Sequence, residues 1–250
     1  MIRGFENFKK WFEGYEDQYV LIGGTACSIL LEEDERVFRA TKDIDIILVA
    51  ELLTPEFGRR FWDYIRAGDY QSRNKSNGKP QYFRFANPGN IDFPIMIELF
   101  SRSLESLNIP DGVVLTPMPF DDDISSLSAI IVNDDYYSFM QAGKIIIDNA
   151  PVLDVAHIIP FKMKAWLDLS ARKAAGESID SKTISKHKND VFRLSVLLTP
   201  NLTVPVSQVI RLDIEEFISM IQDENVDLKA LGVEGDQEGI LQKIKRVYEN

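Results

Sequence analysis

Apolar residues follow two rhythms along this chain. Short β-type runs alternate with helical stretches up to about residue 150, and helical spacing alone continues beyond it. Phe5, Phe8, Trp11, Phe12 and Tyr15 lie at helical spacing and predict an amphipathic helix over 3–17. The run Tyr19–Ile22 predicts a buried strand that enters a tight turn at Gly23-Gly24. Thr25 to Leu31 then reads as a helix starting at the glycines, with Thr25 as its cap. Ile44 to Val49 is a second buried strand. Thr54-Pro55 is a helix start, and the helix should run to about Arg66 with Phe57, Phe61, Trp62 and Ile65 on its apolar side.

Between 69 and 116 the pattern turns to short strands, among them Tyr82–Ala86 and Ile95–Phe100. Turns are expected at 74–80 and 87–90, and an acidic loop at 121–123. Two or three more strands are expected over 128–148, including SAIIV and KIIID. Beyond that point the expected helices are 158–175 after Pro160, 181–198, 206–222 and 236–248. This layout predicts an α/β (α+β) first domain, residues 1–150, with a mixed sheet and flanking helices. A helical C-terminal domain, 151–250, follows it.

Charge narrows the choices. The 250 residues carry 39 acidic and 28 basic side chains, a formal charge of −11, which disfavours a surface that grips nucleic acid everywhere but permits a local basic cleft. Cys27 is the single cysteine, which excludes an internal disulfide and a cysteine-built zinc site. His157 and His187 are the only histidines, too few for a His-rich metal site, while carboxylates can still bind a hard cation. No apolar stretch is long enough to span a bilayer, and the charged N-terminal segment does not read as a signal peptide; a cytoplasmic protein is expected.

The segment that carries chemistry is IGGTACSILLEEDERVFRATKDIDIIL, residues 22–48. Asp43 and Asp45 are two apart on a strand and face one side, while Ile44 and Ile46 face the other. Two carboxylates placed so repel each other unless a cation sits between them. Glu98 is the next acid inside an apolar strand, and it needs a metal or other cation partner to be tolerated there. Its competitor Asp92 follows NPGN and reads as a turn residue. If the Glu98 strand lies beside the others, the three acids would hold one or two Mg²⁺ ions, or Mn²⁺ in their place, that neutralise a nucleoside triphosphate and activate an attacking oxygen. Gly23 and Gly24 would let the backbone approach a phosphate at a helix N-terminus, and the Thr25 hydroxyl would add a hydrogen bond.

This pattern resembles the signature of the nucleotidyltransferase superfamily: a strand, Gly-Gly, a helix, then Asp-x-Asp on a second strand and a further acid on a later one. Within it, GGTA followed by Arg39, Thr41, Asp43 and Asp45 most resembles the AbiEii-type nucleotidyltransferases, often toxins of toxin–antitoxin pairs. Lys162 and Ala165 match the K-x-x-A helix of that family, and Asp190 matches the first acid of its later motif. There are two departures. EEDERVF lengthens the interval before Arg39, and Arg193 stands where a second acid is usual.

The resemblance implies a nucleotidyltransferase-fold catalytic domain, nucleotidyl transfer with release of pyrophosphate, a tRNA acceptor and an antitoxin partner. It assigns Lys162 and Arg39 to phosphate charge and Asp190 to orienting the lysine or reaching the metal. Glu98 would help bind metal and accept the acceptor's proton. The bland readings are a solvated Lys162, an Asp190 paired with Lys186 on a helix surface, a surface His187, and Lys186–Lys188 as a small basic patch for RNA. The competing functions are transfer to a small molecule, as in antibiotic-modifying enzymes, and a degenerate nucleotide-binding module.

Overall fold

The computed structural model describes residues 2–34, 41–73, 81–101 and 133–249. They form two units. The sheet unit holds the strands β1 (Tyr19–Ile22), β2 (Asp43–Leu48), β3 (Gln71–Arg73), β4 (Gln81–Ala86), β5 (Met96–Ser101), β6 (Lys144–Ile147) and β7 (Ala150–Leu153). It also holds the helices α1 (Phe5–Trp11), α2 (Gly23–Glu33) and α3 (Pro55–Ala67). The helical unit comprises α4 (Asp134–Ala142), α5 (Val155–Ala174), α6 (Ser181–Ser195), α7 (Gln208–Ile221) and α8 (Gln237–Val247).

The sheet has seven strands in the order β3-β4-β5-β2-β1-β7-β6. It is mixed: β2 runs parallel to β5 and β1 to β7, while the other pairs are antiparallel. The mixed sheet with flanking helices is therefore the architecture expected from the sequence. Strands β6 and β7 close through Asp148 and Asn149, both at positive φ (46° and 58°), the turn that two-residue hairpins favour.

Aromatic packing anchors α1 and α3. Phe8, Phe12, Tyr19, Phe57, Phe61 and Tyr64 are all under 2% exposed; Phe8 meets Tyr64 edge-on at 5.6 Å and 87°, and Phe57 stacks on Phe61. Phe61 and Trp62 reach Phe85 of β4 at 5.6 and 5.9 Å, so α3 covers the face opposite Arg84. The Thr54 cap is as predicted: its hydroxyl accepts from the Phe57 amide at 3.2 Å.

Three local expectations change. Helix α1 spans 5–11 rather than 3–17. Residues 134–142 are helical, not extended; Asn133 caps them by accepting from the Asp135 and Tyr136 amides, and two acids follow in the first turn. Helix α4 belongs to the helical unit, and the chain then returns to the sheet for β6 and β7. Helix α5 begins at Val155, capped by Asp154, and carries Pro160 inside it rather than before it. The SAIIV run, the 74–80 turn and the 121–123 loop lie outside the described residues.

In the helical unit, Trp166 meets Phe217 edge-on at 5.3 Å and Tyr136 meets Phe161 at 5.1 Å. Asp213 is buried but fully engaged: Tyr136 donates to one oxygen at 2.9 Å and Lys164 to the other at 2.7 Å. Among the described residues no helix is long and apolar enough to cross a membrane.

Candidate active site

The strand-to-helix junction at β1 and α2 is built around Asp45. Ile22 is extended, and Gly23 turns the chain at φ +63°. A Cβ at Gly23 would lie 1.9 Å from Asp45 Oδ2, so both the backbone and the space demand glycine. The Gly24 amide donates to the same Oδ2 at 3.1 Å, which sets the carboxylate at the positive end of α2. Thr25 is not the cap. The helix starts at Gly23, before it, and the buried Thr25 hydroxyl donates to the Asp43 carbonyl at 2.5 Å. That bond ties the start of β2 to the first turn of α2.

Along β2 the exposure alternates: Asp43 and Asp45 are half-buried, while Ile44 and Ile46 are buried. The two carboxylates thus share a face. Strand β5 does lie beside β2, with Asp45 opposite Glu98 in parallel register. Glu98 in turn stands opposite Arg84 of β4. Arg84 donates Nε to Glu98 Oε1 at 2.8 Å, and its Nη2 is 2.6 Å from the same oxygen.

Ile22, Asp45, Glu98 and Arg84 therefore form one row across four strands. The cation that a buried Glu98 requires is a guanidinium supplied by the neighbouring strand. Arg84 escaped the sequence reading because cross-strand register is not written in either strand. A signal was present all the same: Arg84 is the one charge in QYFRFA and Glu98 the one charge in MIELFS.

Among the described residues no group of three or more His, Cys, Asp or Glu side chains is placed to hold a metal ion. Asp43 and Asp45 still suit a hard divalent ion of the kind that keeps waters and takes further oxygens from substrate phosphates rather than from an all-protein cage. Arg39 lies outside the described residues. Asp92 is exposed, and its amide donates to Asn90 Oδ1, as a turn residue should.

Lys162 and Asp190 sit in the helical unit. Lys162 Nζ lies 3.0 Å from Asp190 Oδ2, with side-chain exposures of 6% and 0%. This joins α5 to α6: the lysine does not reach water, and the acid is buried rather than on a helix surface. Arg193, the departure from the family pattern, points Nη1 at Asp190 Oδ1, 3.3 Å away. Asp190 thus serves two cations where the family pattern has a second acid. His187 is buried, and Lys188 pairs with Glu224, so 186–188 is not a continuous basic surface.

No protein-family model matches the chain, and no curated protein sequence matches it. Among solved structures, it is similar to an antigenic nucleotidyltransferase-like protein from Paracoccidioides brasiliensis, at 13% identity over 94% of each chain with a TM-score of 0.45. It is also similar to a mutant of the Cid1 poly(U) polymerase bound to MgATP, at 10% identity over 96% of this chain and 75% of that one, with a TM-score of 0.31.

Proposed function

We propose that this chain is a divalent-metal-dependent nucleotidyltransferase that moves a nucleoside monophosphate from an NTP to an acceptor hydroxyl. One observation carries the reading. Asp45 is held against the glycine turn at the head of α2, two residues from Asp43 on the same strand face, so two carboxylates and a helix N-terminus stand in one place. Asp43 and Asp45 would hold the ion, which supplies charge neutralisation at the phosphates.

The remaining roles belong to the chain. Gly23, without a Cβ, leaves room beside Asp45, and the Gly24 amide orients the Asp45 carboxylate. Thr25 fixes the spacing of β2 and α2 through the Asp43 carbonyl. The acceptor oxygen bonds to the α-phosphorus as the phosphorus–oxygen bond to the leaving pyrophosphate breaks, and the hydroxyl proton passes to solvent water.

The acceptor we infer is a tRNA end. The likeness of GGTA and R-x-T-x-D-I-D to the AbiEii toxins supports it, and a toxin role with a protein antitoxin follows from the same likeness. The test is incubation with each α-labelled NTP, Mg²⁺ and total RNA. Label should appear on tRNA and vanish with Asp45→Asn. Transfer that survives Asp45→Asn, or label on no acceptor from any NTP, would overturn the assignment.

A further inference from the structure

Asp45 and Glu98 are direct neighbours on parallel strands, so their backbones stand about 5 Å apart and their side chains share a face. Two acids that close must be balanced by positive charge. The sheet supplies it on the far side of Glu98, where Arg84 sets two nitrogens on one carboxylate oxygen, at 2.8 and 2.6 Å. Both side chains are largely withdrawn from water, 14% exposed for Arg84 and 9% for Glu98. If Glu98 turned its Oε1 to a metal, it would give up both Arg84 contacts, which is the unfavourable way to divide a buried pair. Planar, two-donor contact of this kind also holds its geometry better than a lysine would.

We infer that Arg84 is a positioning residue that stands in for a second metal ion. It neutralises Glu98 within the sheet, so that a single divalent ion is held by Asp43 and Asp45 alone. The inference rests on the proposed function and narrows it to a one-ion site flanked by a fixed arginine–glutamate pair. It also withdraws Glu98 from the metal-ligand role expected from the sequence.

The test counts metal rather than product. Mn²⁺ is titrated into the full chain and the free ion followed by electron paramagnetic resonance. The proteins are the wild type, Asp45→Asn, Arg84→Gln, and the double variant Arg84→Gln with Glu98→Gln. The double variant removes both charges together and so preserves the balance; its apo melting curve checks that it folds.

The expected result is one ion per wild-type chain and one in the double variant, with affinity within about twofold. Asp45→Asn should lose the ion. Arg84→Gln alone should bind Mn²⁺ several-fold more tightly, or take up a second ion, because Glu98 is released toward Asp45. A double variant that folds but loses the ion, as Asp45→Asn does, would make Glu98 a ligand and overturn the inference while leaving the proposed function standing. Absence of Mn²⁺ binding by the wild type would instead remove the metal site itself, and the proposed function with it.

Discussion

Tyr248 donates its hydroxyl to the Ala156 carbonyl at 2.6 Å. That carbonyl is the one left without a helical amide by Pro160, four residues further along α5. A residue next to the end of α8 thus completes the hydrogen bonding of a helix 92 positions earlier in the chain. It lets a proline sit inside a buried 20-residue helix without an orphaned acceptor.

Tyr248→Phe should therefore destabilise the protein by about 1–3 kcal/mol, the cost of a buried acceptor left unmade. In a Pro160→Ala background the same change should cost clearly less, because the alanine amide can meet the Ala156 carbonyl. Urea unfolding of the two pairs measures the coupling; equal costs in both backgrounds would refute the compensation.

Alkaline pH should weaken the fold through its tyrosines. Burial pushes the phenols of Tyr19, Tyr64, Tyr136 and Tyr248 above their ordinary value of 10.0, with Asp213 adding to the shift at Tyr136 and Asp154 at Tyr248. A group whose folded pKa is raised contributes stability that is intact below its unfolded pKa and is lost as pH climbs toward the folded one. The urea midpoint should thus hold steady up to about pH 9 and fall above about pH 10. Tyrosinate absorbance from these residues should rise with unfolding and not before it.

Gly23→Ala should cost about 1–3 kcal/mol from its left-handed backbone alone, and its Cβ should also force Asp45 off the Gly24 amide. Gly176→Ala is the control: its φ is +97°, but nothing lies within 4 Å of the added carbon. Both variants should lose stability in thermal melts, and only Gly23→Ala should lose nucleotidyl transfer and Mn²⁺ binding. Full activity in Gly23→Ala would refute the cradle.

Asp190→Ala should be more damaging than a matched neutral replacement of the pair. It takes this carboxylate from both Lys162, 6% exposed, and Arg193, a loss of about 3–5 kcal/mol. The double change Lys162→Met with Asp190→Leu should recover much of that stability. Urea unfolding of the three proteins decides it; a double variant as unstable as Asp190→Ala would show that the pair is not the cause.

Much of this was legible because its signals are local. Thr54-Pro55 marks the start of α3, YVLI and IDIIL mark buried strands, and the two-residue spacing of Asp43 and Asp45 puts them on one face without further information. Helix α4 was not read from the sequence, and the signal that marks it is the Asn133 cap with its two following acids. Thr25 looks like a cap in sequence, but a glycine at positive φ lets the helix begin directly out of the strand. Arg84 with Glu98, Asp190 with Arg193 and Tyr248 with Ala156 form a graded series. The i,i+3 pair is written in the sequence, the cross-strand pair needs register, and the last pair needs the tertiary fold.

The course of the chain through the sheet has a consequence for synthesis on the ribosome. Strand β1 pairs with β2 on one side and with β7 on the other, and β7 is made only after α4 has left the sheet unit and the chain has come back. Until residue 153 has emerged, the outer edge of β1 stands open beside the turn that shapes the site. A nascent chain, or a fragment ending before 144, should expose that edge to pairing with other chains. The glycine turn and Asp45 thus lie in a sheet that is closed only by a hairpin translated more than 100 residues later.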